Sequence, residues 1–376
     1  MPRLDWHWAI TYAFRHGLSP LLYRTLGRLI HNFSSIKMIQ GKVSDPNLPP
    51  GINQDWFNML FDSYMSTLRR NSHIQSALKE LDETLADIDI TCIIWKGAAL
   101  INGVYPDIGL RPMDDIDVLV PKKHIEKFKK VIRQLGFIPR PAYPLTWNRR
   151  EIVLDLHLDV VHSERISSRL TALPITAETL LPETLPLSNF KKLLTLSPQD
   201  DLICIATHAL KHGFSRDIWL IDAVNLLTQY PEIIRKPENL IQRAQDLKAT
   251  FPLYILFSLL ETCPVNLDLG FICRLRPKKF GFFARLFVRS LKNARQIPYA
   301  GEIFYLFLLD SYQQQISFLL ETMFPSRQVM RQLFPDKRFM PYWFYYPHRI
   351  LRLVGMGMET FKALFHYRAN EKQLHK

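Results

Sequence analysis

Apolar residues recur every three or four positions through WHWAITYAFRHGLSPLLYRTLGRLI and again through NQDWFNMLFDSYMSTLRRNSHIQSALKELDETLADI. That spacing predicts helices over residues 1–85, joined by the turn-rich segment VSDPNLPPGINQ. The period changes near Ile88. DITCIIW is a short β-branched run that ends at Lys96-Gly97, AALINGVY can form a helix, and PDIGLRPM is a Pro/Gly loop opening the strand DIDVLV. KKHIEKFKKVIRQLGF then reads as an amphipathic helix with Ile125, Phe128, Ile132 and Leu135 on one face and Gly136 as its stop. A proline-containing loop leads to a second strand, EIVLDLHLDVVH. From residue 197 helices return: Ser197-Pro198 supplies a cap and a first-turn proline for DDLICIATHALKHG, Gly213 ends it, and SRDIWLIDAVNLLTQY begins another. The pattern divides the chain into an N-terminal helical region 1–85, an α/β core 86–165, a helical domain 166–270 and an aromatic-rich helical region 271–376.

Composition narrows the class. With 376 residues, the usual domain size of about 100–200 residues implies two or three units. A content of 47% hydrophobic and 22% charged residues excludes wholesale disorder. Cys92, Cys204, Cys263 and Cys273 lie far apart in apolar surroundings without a CxxC pair, the pattern of free thiols in a reduced compartment. The opening MPRLDWHWAITYAFRHG lacks the unbroken apolar stretch of a secretory signal, which points to a cytoplasmic protein. Glu261 interrupts one long apolar segment, and Asp310 with SYQQQ interrupts another, so no membrane-spanning helix is expected.

The net charge of +13 is unevenly placed: from Arg274 to Lys376, 18 lysines and arginines stand against 6 acids. Interleaved with FMPYWFYYPHRILRLVG, these cations suit an anionic membrane surface with Trp and Tyr at headgroup level, a nucleic acid, or a solvated or partner-facing face. Large apolar residues flanked by cations place peripheral membrane contact ahead of nucleic acid.

The candidate chemistry is acidic. Strand alternation puts Asp115 and Asp117 on one face, about 7 Å apart at a rise of ~3.3 Å per residue, with Ile116, Val118 and Val120 on the other. On the second strand Asp155, His157 and Asp159 share a face, and Asp155 is the choice for a third carboxylate. Hard oxygen ligands of this kind suit Mg²⁺. Acids at strand ends also cap helices, pair with Arg or face water, and Asp114 reads as a loop acid. Lys96-Gly97 falls where a strand gives way to a helix, a place that favours an anion; Gly97 would admit phosphate to the backbone, and Lys96 and Arg111 would add charge. Equally, Gly97 can be a tight-turn residue and the two cations surface partners. His208 and His212 share a helix face with Lys211 beside them. Zinc is disfavoured there, because the glutamate and third ligand of such sites are absent. That face either borders a cleft and contacts nucleotide or acceptor, or packs structurally. Trp219 suits a core or a base-stacking role, and Asp222 can cap, pair or face the site.

The order KGAAL, Tyr105, GLRPMDDIDVLV, a helix ending in LGF, a strand with LDLH, and THALKHGFSRDIWLIDAVNLL resembles an uncharacterised bacterial nucleotidyltransferase family of the DNA polymerase β-like superfamily. The resemblance covers most of the chain, and RPMxDIDVLV is its most specific string. It implies an α+β fold: a polymerase β-like nucleotidyltransferase core, a small mixed sheet with flanking helices, within a mostly helical chain. Asp115 and Asp117 match the paired metal-binding aspartates, Asp155 the third carboxylate, and Gly97 the glycine opening the phosphate-facing helix. Ala98 departs from the Ser or Gly that the superfamily usually places next. The implied activity is transfer of a nucleoside monophosphate from an NTP to an acceptor with two Mg²⁺ ions, the helical domain bordering the cleft. A non-catalytic nucleotide-binding or scaffold protein acting through the basic C-terminal region is the alternative. Removal of Asp117 is expected to abolish chemistry at little cost in stability, since clustered acids without metal repel.

Overall fold

In the computed structural model of the chain, residues 5–29, 37–39, 42–44, 48, 51–261, 263, 270–276, 281–292, 300–334 and 341–365 are described. Helix α1, Trp6–His16, is capped by the Asp5 carboxylate, which accepts from the Trp8 amide, and is closed by Gly17 at φ 75°. Helix α2, Ser19–Leu29, follows, then a ribbon of β1, Lys37–Ile39, and β2, Lys42–Ser44. Three-residue strands are too short for alternation to register, and the sequence pattern gave no sign of them. The rest of the expected connector lies partly outside the described residues. Asn53 caps the 31-residue helix α3, Gln54–Thr84.

The α/β core is a seven-stranded mixed sheet in the order β5-β6-β7-β4-β3-β9-β8. Its strands are β3, Ile93–Trp95; β4, Ile116–Leu119; β5, Ile138–Arg140; β6, Tyr143–Arg149; β7, Ile152–His157; β8, Leu185–Pro186; and β9, Leu194–Thr195. The segment expected as a proline-containing loop is the hairpin of β5 and β6. Pro139 sits on the edge strand β5, and Pro144 lies in β6 ahead of the stretch that pairs with β7, so neither interrupts the central ladder. The expected second strand stops at His157; beyond it, Asp159 accepts hydrogen bonds from the amides of Val161 and Ser163 and holds a turn.

Alternation along the central strands divides the core in two. Ile94, Ile116, Val118, Leu154 and Leu156 face α3 and α5, Ile125–Gln134, whose Phe128 and Ile132 are buried there. Ile93, Trp95 and Leu119 face the opposite way, into a cluster that continues through Leu202, Leu256 and Phe318. Between β3 and α5, the single turn α4, Gly97–Leu100, returns the chain toward β4. Two further short helices, α6, Arg169–Ala172, and α7, Ala177–Leu180, precede α8, Pro198–Lys211, which Ser197 caps, and α9, Ile218–Gln229. The described residues of the basic C-terminal quarter are mostly helical, including Tyr312–Met323 and Tyr345–Phe365. Among the described residues no helix is long and apolar enough to cross a membrane.

Candidate active site

Strand pairing decides what the acids meet. β4 runs parallel to β7 with Asp117 opposite Asp155 and Leu119 opposite His157, and antiparallel to β3 with Trp95 opposite Asp117. Residues opposite one another on adjacent strands share a face, so Asp117 and Asp155 converge. Asp117 Oδ1 accepts from Lys96 Nζ at 2.6 Å and lies 2.7 Å from His157 Nε2. The same imidazole nitrogen is 3.6 Å from Asp155 Oδ2, while Asp155 Oδ1 accepts from Thr146 Oγ1 at 2.7 Å. One ligand atom from each of Asp117, Asp155 and His157 lies within 4.8 Å of the others. Two carboxylates and an imidazole at that spacing fit a divalent cation. The Lys96 ammonium, held at Asp117 and 4.2 Å from the centre of the Trp95 ring, shows the site already drawing positive charge.

The two strand aspartates are tuned apart. Burial and the neighbouring Asp117 charge, with a smaller push from Asp155, raise the Asp115 carboxyl to about 7 against the pull of Lys96 and His157. Burial would raise Asp117 too, but Lys96 and the hydrogen-bonded His157 outweigh it and hold that carboxyl well below the usual carboxylate range. Asp117 is thus an anion throughout the physiological range, whereas Asp115 is divided between its protonated and ionised forms near neutral pH, and added positive charge favours its anion. Asp114 is exposed and meets Arg70 at 3.3 Å, the loop acid the sequence suggested.

A cavity of about 290 Å³ opens in front of these acids. Lys96, Gly97, Asp115 and Asp117 border it on the sheet side; His208, His212, Arg216 and Trp219 border it from α8, α9 and the turn between them. Asp155 stands one strand behind the lining, and Lys211 does not line the cavity. A Cβ on Gly301 would fall 1.9 Å from the Lys211 carbonyl oxygen, so the end of α8 is pressed against the helix Ala300–Leu308. Gly97 is closely packed: a Cβ there would lie 3.2 Å from Arg111 Nη1 and from Met113 Cβ and Sδ, so these side chains would have to give by a few tenths of an ångström. Lys96 stands before it at φ 54° and ψ −139°, a positive-φ conformation that side-chain-bearing residues rarely adopt, where the chain leaves β3.

Arg111 lines the cavity, but its guanidinium is committed elsewhere. Nε and Nη2 donate to the two carboxylate oxygens of Asp222 at 3.0 and 2.7 Å, and Nη1 donates to the Pro112 carbonyl at 2.6 Å. Tyr105 Oη donates to the same Asp222 at 2.7 Å. Asp222 therefore pairs, and the buried fork ties α9 to the loop that carries Asp115. Sequence reasoning missed Arg216 and Thr146. Arg216 reaches the cavity, and its Nε is buried with no hydrogen-bond partner among the described residues. A lone arginine before a helix carries no periodic signal, and Thr146 lay in a segment read as loop.

His208 and His212 stand with ring centres 4.7 Å apart, and the Trp219 ring lies 5.2 Å from the former and 5.6 Å from the latter. Burial, then the charge of Lys96 and the neighbouring His212 and Lys211, holds His208 well below the ordinary histidine value, and its Nδ1 is buried without a hydrogen-bond partner among the described residues. The unfolded chain takes up a proton on this residue below about pH 6.5 and the folded chain does not, so His208 removes stability as pH falls below that value. Asp115 acts in the opposite direction, its raised value favouring the folded state at low pH. Thermal midpoints measured from pH 7.5 to 5 in the wild-type chain and His208→Gln isolate the histidine: the variant is expected to lose less stability on acidification. Parallel curves would show that His208 is protonated in the folded protein.

A family profile described as an uncharacterised nucleotidyltransferase matches residues 2–263, which takes in both walls of the cavity. No curated protein and no solved structure matches the chain. The profile spans well over half the sequence, and the helical chain with its seven-stranded mixed sheet is consistent with it, so the chain belongs to this uncharacterised nucleotidyltransferase family.

Proposed function

We infer that the cleft transfers a nucleoside monophosphate from an NTP to a hydroxyl or phosphate group of a small molecule, glycan precursor or protein. The acceptor oxygen would form a bond to the α-phosphorus, the bond between that phosphorus and the α–β bridging oxygen would break, and pyrophosphate would leave. The observation that carries this reading is the register of Asp117 against Asp155 beside the half-buried Lys96 that borders the cavity. Asp115, Asp117 and Asp155 would hold two Mg²⁺ ions, with the His157 imidazole, beside Asp117 and Asp155, as a further candidate ligand. The metal, when bound, neutralises triphosphate charge and the charge that develops on the leaving pyrophosphate.

The chain's own groups supply the rest. Thr146 fixes one oxygen of Asp155, leaving the other to receive the acceptor proton. Lys96, released from Asp117 once other positive charge arrives, can turn to phosphate oxygens, and Arg216 offers its guanidinium from the facing wall. Trp219 with His208 and His212 forms an aromatic wall suited to the base or the acceptor. The bond that breaks provides the test. Incubated with an NTP labelled at the α-phosphorus and with Mg²⁺, the protein is expected to yield labelled NMP, or a labelled adduct, together with pyrophosphate. Release of NDP and inorganic phosphate would place the cleavage at the wrong bond and overturn the reading.

A further inference from the structure

The helix Tyr345–Phe365 packs on its neighbours through its first turn and, near its other end, through the buried Thr360. Tyr345 is buried in a cluster with Met330 and Phe334, Arg349 Nε donates to the Thr322 carbonyl at 2.8 Å, and Tyr346 Oη donates to the Pro325 carbonyl at 3.0 Å. Beyond this anchor apolar side chains face outward: Leu351 is 71% exposed and Met358 56%, with Val354 and Phe361 comparably open. Their spacing of three, four and three residues makes one stripe along the helix. The helix Tyr312–Met323 presents Ile316 and Leu320, and the surface continues through Phe324, whose ring lies 5.6 Å from Tyr346. Trp343, 63% exposed, stacks on Phe344 at 3.8 Å just before the long helix. A soluble monomer seldom shows so much contiguous apolar surface without a partner.

Charge identifies the partner. The stretch from Arg274 to Lys376 holds 18 lysines and arginines against 6 acids, and Arg352 and Lys362 are exposed on the same helix as the stripe. A second copy docking through this face would set like charges against each other across a two-fold axis. A nucleic acid would engage the cations but leave the aliphatic stripe in water. An anionic lipid surface satisfies both: aliphatic side chains enter the acyl boundary, Trp343 takes the headgroup level, and the cations meet lipid phosphates and carboxylates. We propose that the C-terminal helices dock this protein peripherally on an anionic membrane, with the helix Tyr345–Phe365 lying in the interfacial plane. This inference is independent of the reaction assigned to the cleft.

The test is co-sedimentation of the full chain with phosphatidylcholine vesicles, alone or with about one third phosphatidylserine. The anionic vesicles are expected to bind roughly tenfold or more tightly, and binding is expected to weaken steeply with added salt. The variant Leu351→Glu/Met358→Glu alters only exposed positions, so it is expected to keep its circular dichroism spectrum and its NTP cleavage while vesicle affinity falls about tenfold or more. Four results would each overturn the proposal: no binding to anionic vesicles at low salt, undiminished binding by the variant, a solution dimer that the variant dissociates, or capture of an RNA oligomer without any vesicle binding.

Discussion

Asp117→Asn is expected to lower NTP cleavage by about 10³-fold or more, the scale set by losing several kcal/mol of metal-assisted transition-state stabilisation. It is also expected to lower unfolding free energy by about 2 kcal/mol in the absence of metal. The second effect reverses the expectation drawn from the sequence, in which removing one of several clustered acids costs little. In the fold Asp117 is not an unneutralised acid: Lys96 Nζ lies 2.6 Å away and His157 Nε2 2.7 Å away. Asparagine keeps the shape but leaves a largely buried ammonium without its nearest anion. Asp115 and Asp155 recover part of that interaction, which keeps the cost below the ~3–5 kcal/mol typical of a broken buried pair. The depressed Asp117 carboxyl makes the same point through pH, because its contribution is present above the unfolded value of about 4 and lost as pH falls through the folded value. Pyrophosphate release and urea unfolding measure the two effects separately. A variant as stable as wild type would show that Lys96 does not depend on this contact.

Asp222→Ala is expected to be the most destabilising single change near the site, by about 3–5 kcal/mol. The carboxylate receives two hydrogen bonds from Arg111 and one from Tyr105, and its residue is 1% exposed. Truncation leaves a buried guanidinium and a buried hydroxyl unpaired, on a scale comparable with a sizeable fraction of the ~5–15 kcal/mol that holds a domain folded. The double change Arg111→Met/Asp222→Leu removes both charges together and is expected to recover most of the loss. Denaturant unfolding of the two single variants and the double gives the coupling directly. An additive double variant would mean that the fork contributes no pairwise stabilisation.

The sheet and the acids were legible to different depths. Alternation in IDVL and IVLDLH places the aspartates on polar faces, and Ser197-Pro198 and Gly213 bracket α8 correctly, because these signals are local. The partner of Asp117 was harder to read. That Asp117 stands opposite Asp155 depends on β4 and β7 being neighbours, which no periodicity encodes. Arg111 shows the limit most clearly: its position in the loop before β4 suggested a phosphate contact, but its partner Asp222 lies 111 residues further on. Prolines concealed β5 and β6 because breaker rules do not distinguish an edge strand from a loop. β8 and β9 are two residues each and carry no pattern at all. The exposed stripe on the last helix was readable as apolar spacing, while its exposure was decided by what packs against it.

The central claim is that the acids at the mouth of β4 bind nucleotide through metal. Equilibrium binding of ATP, GTP, CTP and UTP, each with and without Mg²⁺, to the wild-type chain and to a folded Asp115→Asn/Asp117→Asn variant addresses it most directly. At least one nucleotide is expected to bind the wild-type protein in a Mg²⁺-dependent manner, and the variant is expected to lose that dependence. Nucleotide binding that ignores metal, or that survives in the variant with its metal dependence intact, would contradict the assignment of the site.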